Sequence, residues 1–228
     1  KLPGFQDVED EGARSKFETK WECAIPPKNG WNLTEMFAAM ERRDLRALFV
    51  IGENPAQSEA DGQHAIKILK SLDLLVVQDI FLTKTAELAD VVFPGSASWC
   101  ESEGTVTNSE RRVQMVHQAL VPPGNAHDDI QILLDLAREM GHNWSYPRSE
   151  GVWNELRSLS PMHTGMSYSR LRELGGIQWP CFSEDTLEPS YLHGRLGADE
   201  PADRGRAQAR DDRDRRPRRR PRPRRRYR

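Results

Sequence analysis

Only three cysteines occur in this 228-residue sequence: Cys23, Cys100 and Cys181, far apart and with no pair in C-x-x-C spacing. A disulfide framework, a zinc site or an iron–sulfur cluster held by this chain alone is therefore not expected. Three free thiols suit a reducing compartment, which makes a cytoplasmic location the expectation. No apolar run approaches the eighteen residues of a membrane span, and Lys1 begins no signal peptide, so no membrane attachment is expected. Neither a Gly-x-Gly-x-x-Gly fingerprint nor a Walker loop is present, which disfavours an ordinary NAD or ATP site. Nothing resembles a nucleophile elbow, and Cys100 is a nucleophile only on paper. His64, His117, His127, His142, His163 and His193 show no ligand spacing and read as structural or solvated side chains.

Charge of one sign is scarce only on average. The net charge of −2 conceals thirteen Arg and three Asp in residues 205–228, about +10, against 20 basic and 32 acidic residues in the remainder, about −12. With 37% hydrophobic residues, the body has enough apolar material for one domain of ordinary size or slightly more. The tail DDRDRRPRRRPRPRRRYR has nothing to bury, and its prolines interrupt any helix, so it is expected to be disordered.

Residues 1–44 read as a lead-in, with a short helix near Ala13 to Trp21 and an amphipathic helix capped by Asn32 and Glu35. Residues 45–143 read as an α/β domain. Ala47 to Ile51, Leu74 to Val77 and Asp90 to Phe93 are apolar runs without polar alternation, as in strands buried on both faces. Ser58 and Asp61 are candidate caps for a helix with Ala65, Ile66, Leu69 and Leu72 inward, and Thr83 to Leu88 fits a short helix. Strands alternating with helices imply a mostly parallel sheet with right-handed crossovers. Arg112 to Leu120 reads as a further extended segment. Asp128 should cap a helix with Ile130, Leu133, Leu134, Ala137 and Met140 on one face. Residues 144–204 read as a helical and loop extension, beginning with a helix capped by Ser149.

In an open parallel sheet, ligands sit outside the carboxyl ends of the strands, and three such ends carry concentrated polar chemistry. Gly52-Glu53-Asn54-Pro55 offers close backbone approach, an amide, and the next helix N-terminus; the plainer alternative is a strand-to-helix turn. Gln78-Asp79 presents a carboxylate able to accept from a ribose or from the N1–H and amino group of a guanine, or simply to cap the helix that follows. The connection carrying Glu101, Ser102, Glu103, Asn108, Arg111, Arg112 and Gln114 is either a ligand-binding or an ordinary surface loop.

Taken in order, these segments resemble a known family. "VIGENPAQSEAD", "LLVVQDIFLTKTAELADVVFPGSASWCESEGTVTNSERRVQ", "PPGNAHDDIQILLDLAREMG" and "GGIQWPC" are similar to the molybdopterin oxidoreductases, most closely the catalytic subunits of formate dehydrogenases. The family's second signature stands here as Thr83, Thr85-Ala86, Ala89, Asp90, Val91-Val92, Phe93-Pro94, Ser96-Ala97 and Glu101, with Phe for Leu and the closing Glu one residue late. The match covers Leu2 to about Gly205. The resemblance implies the third domain of such enzymes, Rossmann-like, holding half of a bis(molybdopterin guanine dinucleotide) that carries molybdenum or tungsten. It implies cofactor contacts at Gly52, Glu53, Asn54, Ser58, Gln78, Asp79, Thr83, Ser102 and Asp129, with Asn108 and Arg112 near the pterin or diphosphate. It also implies that the iron–sulfur and metal-ligating segments lie upstream of Lys1 and the closing β-barrel beyond residue 205. The expected partners are therefore the remaining domains or subunits of the parent enzyme, the fragment alone being inactive, and the arginine-rich switch looks like a shifted frame or truncated gene. A different reading makes the tail a nucleic-acid- or polyanion-binding module, salt-dependent and without sequence preference.

Overall fold

The computed structural model describes residues 1–98 and 100–185, which belong to one compact unit, Lys1–Thr186. The tail expected to be disordered, residues 205–228, and the stretch 186–204 lie outside the described residues.

The lead-in forms α1 (Glu11–Trp21), capped by Asp10, and α2 (Leu33–Glu41). The expected capping box is complete: Asn32 accepts from the Glu35 amide at 3.0 Å, and Glu35 accepts from the Asn32 amide at 2.8 Å. Three parallel strands follow, β1 (Ala47–Ile51), β2 (Leu74–Asp79) and β3 (Val91–Pro94), in the order β1-β2-β3. Between β1 and β2 run the single turn α3 (Pro55–Ser58) and α4 (Gly62–Leu69). Ser58 is the last residue of α3 rather than a cap; Asp61 alone caps α4, accepting from the His64 amide. A 3-10 turn, Ala86–Leu88, joins β2 to β3.

Right-handed crossovers between strands laid down in one direction put successive connections on the same face. That face holds the core, with Val50, Leu75 and Val77 packed against Leu69, Ala56 and Ala86. Each fully buried aliphatic side chain stabilises by about 1.5–3 kcal/mol. The opposite face departs from the expectation of strands buried on both sides. Ile51 and Leu74 are 42% exposed and Val91 41% among the described residues, because no crossover returns over that side.

A second sheet is present, and it is antiparallel: β4 (Gly104–Thr107), β5 (Arg112–Val116) and β6 (Ile177–Gln178), in the order β4-β5-β6. The described residues are thus a mixed helix-and-strand structure with one parallel sheet, compatible with an α/β class, rather than one mostly parallel sheet. The extended segment expected to reach Leu120 ends at Val116, where pairing with β4 runs out. α5 (Asp129–Glu139) is capped by Asp128, as expected. Its buried residues are Ile132 and Ala137, whereas Leu133 and Met140 are exposed. With apolar residues on most sides of this helix, periodicity did not decide its inward face.

α6 (Ser149–Leu159) starts at Ser149, which is its first residue and not its cap; the Ser149 hydroxyl instead accepts from Tyr168 at the head of α7 (Tyr168–Leu174). Val113, Ile177, Met166, Tyr168, Leu171 and Cys181 form the core beneath the second sheet. α1 is fastened to α6 through one carboxylate: Glu155 accepts from Trp21 Nε1 at 2.8 Å and from the Tyr146 hydroxyl at 2.6 Å. That bond, with partial burial, pushes the Tyr146 phenol up to about 12.

Gly176 has φ +116°, and a Cβ there would stand 2.9 Å from the Val113 carbonyl and 2.7 Å from Gln114 Cγ. Gly176→Ala should therefore destabilise the chain by about 2 kcal/mol or more, read from denaturant unfolding. A pH dependence follows from His163, whose ring lies 2.7 Å from Ser160 Oγ, packs edge-on to Trp153, and is held below its ordinary value by burial. On acidification the unfolded chain takes up a proton at this position first. Stability is thus complete above the unfolded value and declines as pH falls below it. His163→Gln should flatten the fall in thermal midpoint between about pH 7.5 and 5.5 relative to wild type.

Candidate functional site

The parallel register brings three strand ends to one edge. Ile51 pairs with Gln78, and Asp79 pairs with Pro94. Gly52, with φ +63°, donates its N–H to the Gln78 carbonyl at 2.9 Å and turns the chain away from the sheet. Beyond β3, Gly95 forms a parallel bridge to His127, and Ser96 N donates to His127 O at 2.9 Å. This bridge fixes the segment preceding α5, and so places Asp129, in the first turn of α5, over the end of β2.

A cavity of about 220 Å³ lies at this edge, lined among others by Gly52, Gln78, Asp79, Ser96, Ser98 and Asp129. Gln78 Nε2 donates to Asp129 Oδ1 at 2.5 Å, across 51 residues of sequence. Asp79 closes a tight turn by accepting from the Phe81 amide at 3.2 Å and does not cap a helix. Two side-chain oxygens here, Gln78 Oε1 and Ser96 Oγ, are buried without a hydrogen-bond partner. Such orphans are rare in folded proteins, and each costs about 1–3 kcal/mol unless a ligand or water completes it. A second cavity of about 270 Å³ shares Ser96, Ser98 and Asp129 with the first, and a third of about 380 Å³ shares Ser102, Glu103 and Asp128 with the second. Together they make a trench leading away from the strand ends. Two carboxyl groups, Asp79 and Asp129, and the Gln78 amide stand in its strand-end part, so that part offers acceptors to a group with N–H and O–H donors.

Of the residues expected from sequence, Gly52, Gln78, Asp79 and Asp129 meet in the strand-end cavity, and Ser102 lines the adjoining two. Glu53 and Ser58 are exposed beside them but line none of these cavities. Asn54 is engaged internally: its Oδ1 accepts from the Thr85 hydroxyl at 2.8 Å and the Thr85 amide at 3.2 Å, while Thr85 Oγ1 accepts from the Ala56 amide at 3.0 Å. This buried latch ties the turn after β1 to the turn after β2. Thr83 Oγ1 accepts from the Ala86 amide, starting the 3-10 turn. Asn108 and Arg112 sit away from the trench, on the hairpin between β4 and β5. Asn108 Oδ1 accepts from the Glu110 and Arg112 amides at 2.9 and 3.0 Å. Arg111 reaches the Trp179 carbonyl at 2.5 Å and stacks on its ring, and Arg112 Nη1 donates to Gly176 O at 2.7 Å. Among the described residues, no group of three or more His, Cys, Asp or Glu side chains is placed to hold a metal ion, and no helix is long and apolar enough to cross a membrane. Ser96 was not among the candidate contacts. It stood in the signature, but only its unpartnered burial in the fold marks it.

The profile of the family described as molybdopterin oxidoreductase matches residues 15–139, more than half of the chain and all three parallel strands. The chain belongs to the molybdopterin oxidoreductase family. It is 44% identical over 194 residues to the F420-dependent formate dehydrogenase subunit alpha of Methanocaldococcus jannaschii, covering 84% of this chain and 28% of that protein. To formate dehydrogenase H of Escherichia coli it is 38% identical over 193 residues, covering 83% of this chain and 27% of that protein. It thus spans about a quarter of the length of these molybdopterin oxidoreductase relatives. Its structure is similar to acetylene hydratase from Pelobacter acetylenicus, with a TM-score of 0.53 and 28% identity, over 75% of this chain and 23% of that one.

The Asn54–Thr85 latch carries a prediction of its own. Thr85→Val keeps the shape of the side chain but strands the Ala56 amide and leaves Asn54 Oδ1 only the residue 85 amide, and should destabilise by about 1–3 kcal/mol. Equilibrium unfolding of the variant beside wild type measures it.

Proposed function

We propose that this chain is a cofactor-holding segment of a molybdopterin-dependent formate dehydrogenase, and that the strand-end cavity receives the guanine end of a molybdopterin guanine dinucleotide. One observation carries the reading: Gln78, Asp79 and Asp129 converge on a cavity that contains two buried, unpartnered oxygens. A guanine edge offers an N1–H and an amino group to acceptors, and the free lone pairs of Asp129 and Gln78 Oε1 are acceptors. The 220 Å³ cavity is below the range of about 300–1,000 Å³ typical of whole small-molecule sites. It fits one end of a ligand whose remainder continues outward.

In this reading the sheet is Rossmann-like in use, with its ligand outside the carboxyl strand ends. Gly52 permits close approach, Gln78 orients Asp129, and Ser102 stands farther along the trench. Glu53, Asn54, Ser58 and Thr83 act through the turns they build, and Asn108, Arg111 and Arg112 act by fastening the hairpin to residues 176–179. The group supplies the redox centre, molybdenum or tungsten held in a bis-dinucleotide, and these residues bind and orient it. The parent reaction is formate going to carbon dioxide with release of two electrons and a proton. The remaining domains of the parent enzyme are then the partners of this segment. The alternative, polyanion binding by residues 205–228, rests on residues outside those described.

Calorimetric titration of GDP into the chain tests the proposal. Wild type should bind GDP in preference to ADP, and Asp129→Ala should weaken GDP by about tenfold to a hundredfold, the range of a hydrogen bond to a charged group. A folded chain that binds neither nucleotide would refute it.

A further inference from the structure

Seven asparagines occur in the sequence, and only Asn29 is followed by a glycine. Both residues are exposed, in the irregular loop between α1 and α2. The Gly30 N–H donates to no acceptor among the described residues, and a Cβ at Gly30 would meet nothing within 4 Å. The other six asparagines are held differently. Asn32, Asn108 and Asn154 have their side-chain oxygens engaged, by the Glu35 amide, by the Glu110 and Arg112 amides and by Arg157 Nε. Asn54 Oδ1 is held by Thr85, and the residue after it, Pro55, has no N–H. The amide that follows Asn125 is spent on Pro123 O, and the bulky Trp144 follows Asn143. Asn29 alone joins an exposed amide side chain, a free backbone N–H behind it, and a next residue whose φ and ψ are least restricted.

The loop is fastened to the lead-in at the same residue. Asn29 N donates to Glu9 Oε1 at 3.2 Å, and Glu9 N donates to Asp7 Oδ1 at 3.1 Å. Bonds from Lys1, from the Glu9 amide and from the Asn29 side chain hold the Asp7 carboxyl below its ordinary value. We propose that Asn29 with Gly30 is a self-modifying site, at which water alone converts the Asn29 amide into a carboxylate. The Gly30 nitrogen attacks Asn29 Cγ and gives up its proton. The new C–N bond closes a succinimide ring as the C–NH2 bond breaks, and ammonia leaves with that proton. Water then opens the ring at one carbonyl or the other, leaving aspartate or its β-linked isomer, with no change of oxidation state. Attack needs the Gly30 nitrogen deprotonated, so the rate rises with pH. Either product places an anion where a donor stood beside Asp7 and Glu9, and like charges there repel. The loop is thereby loosened from residues 1–9, and stays loosened because the ammonia is lost.

The test incubates the whole 228-residue chain at mildly alkaline and mildly acidic pH and maps its peptides by mass. Electron-transfer fragmentation tells the β-linked isomer from aspartate. The peptide holding Asn29 should convert first, and faster at alkaline pH, while the other six asparagines stay intact. Gly30→Ala, which obstructs ring closure, should slow conversion about tenfold or more. Asn29→Asp supplies the hydrolysed product outright. In it the titration of Asp7 should move upward, and the Glu9 and Asn29-position amides should lose protection from hydrogen exchange. Conversion of any other asparagine ahead of Asn29 would overturn the proposal, as would an unchanged rate in Gly30→Ala. Undiminished protection of both amides in Asn29→Asp would overturn the loosening.

Discussion

The parallel register of β1, β2 and β3 is the constraint from which the site follows. Three strands laid side by side in one direction must end on one edge, and there Ile51, Gln78, Asp79 and Pro94 stand in consecutive rungs. Backbone amides and carbonyls at that edge have run out of strand partners, so the turns must satisfy them. Gly52 and Gly95 do so by bonding back to Gln78 and Asp79, and His127 pairs with the strand just beyond β3. Each of these bonds closes a turn and positions a side chain that faces the same small volume. The edge of the sheet is thereby both a structural boundary and the candidate site.

That edge also explains the opening of the structure on one side. Consecutive crossovers pack α3, α4 and the 3-10 turn on a single face, where Leu69, Leu75 and Val77 are fully buried. On the other face Ile51, Leu74 and Val91 remain partly open, and Ile80, Phe81 and Leu82 follow β2 as three exposed apolar residues, Phe81 at 72%. Apolar surface of this extent at the rim of a polar cavity is the form an interface takes in a larger assembly. The chain spans only about a quarter of its relatives, 28% and 27% of two of them. The three strands were continuous apolar runs in the sequence because continuous runs suit strands meant to be covered twice.

Sequence alone reached the strands, α4, α5 and the capping box, since these depend on local pattern: apolar runs, Asp61 and Asp128 as caps, Asn32 with Glu35. It also placed Gly52, Gln78 and Asp79 beside one another at the sheet edge, because strand ends are local and these residues are attached to them. It did not reach the antiparallel sheet. β6 contributes two residues, Ile177 and Gln178, paired to β5 from more than sixty residues away, and no local signal encodes that pairing. The same limit separates two kinds of polar residue that look alike in sequence. Asn54 and Arg112 are spent on internal bonds to Thr85 and Gly176, whereas Gln78 reaches Asp129 and keeps one oxygen unpaired. Whether an amide or a guanidinium is available to a ligand depends on partners distant in the chain.

The contrast between satisfied and unsatisfied groups is what distinguishes this edge from an ordinary turn region and makes it the candidate site. A structure that finds internal partners for Asn54, Thr85, Asn108 and Arg111 has ample means of satisfying a hydroxyl and an amide oxygen. It leaves two of them bare in one place, behind a carboxylate whose orientation is held by the same glutamine. Filling the site with apolar side chains would remove the penalty of about 1–3 kcal/mol per orphan and make the sheet edge more stable. In the function proposed above, the bound group supplies the partners of this polar pair, and supplying them after folding makes that group part of what holds β1, β2, β3 and the N-terminus of α5 in register.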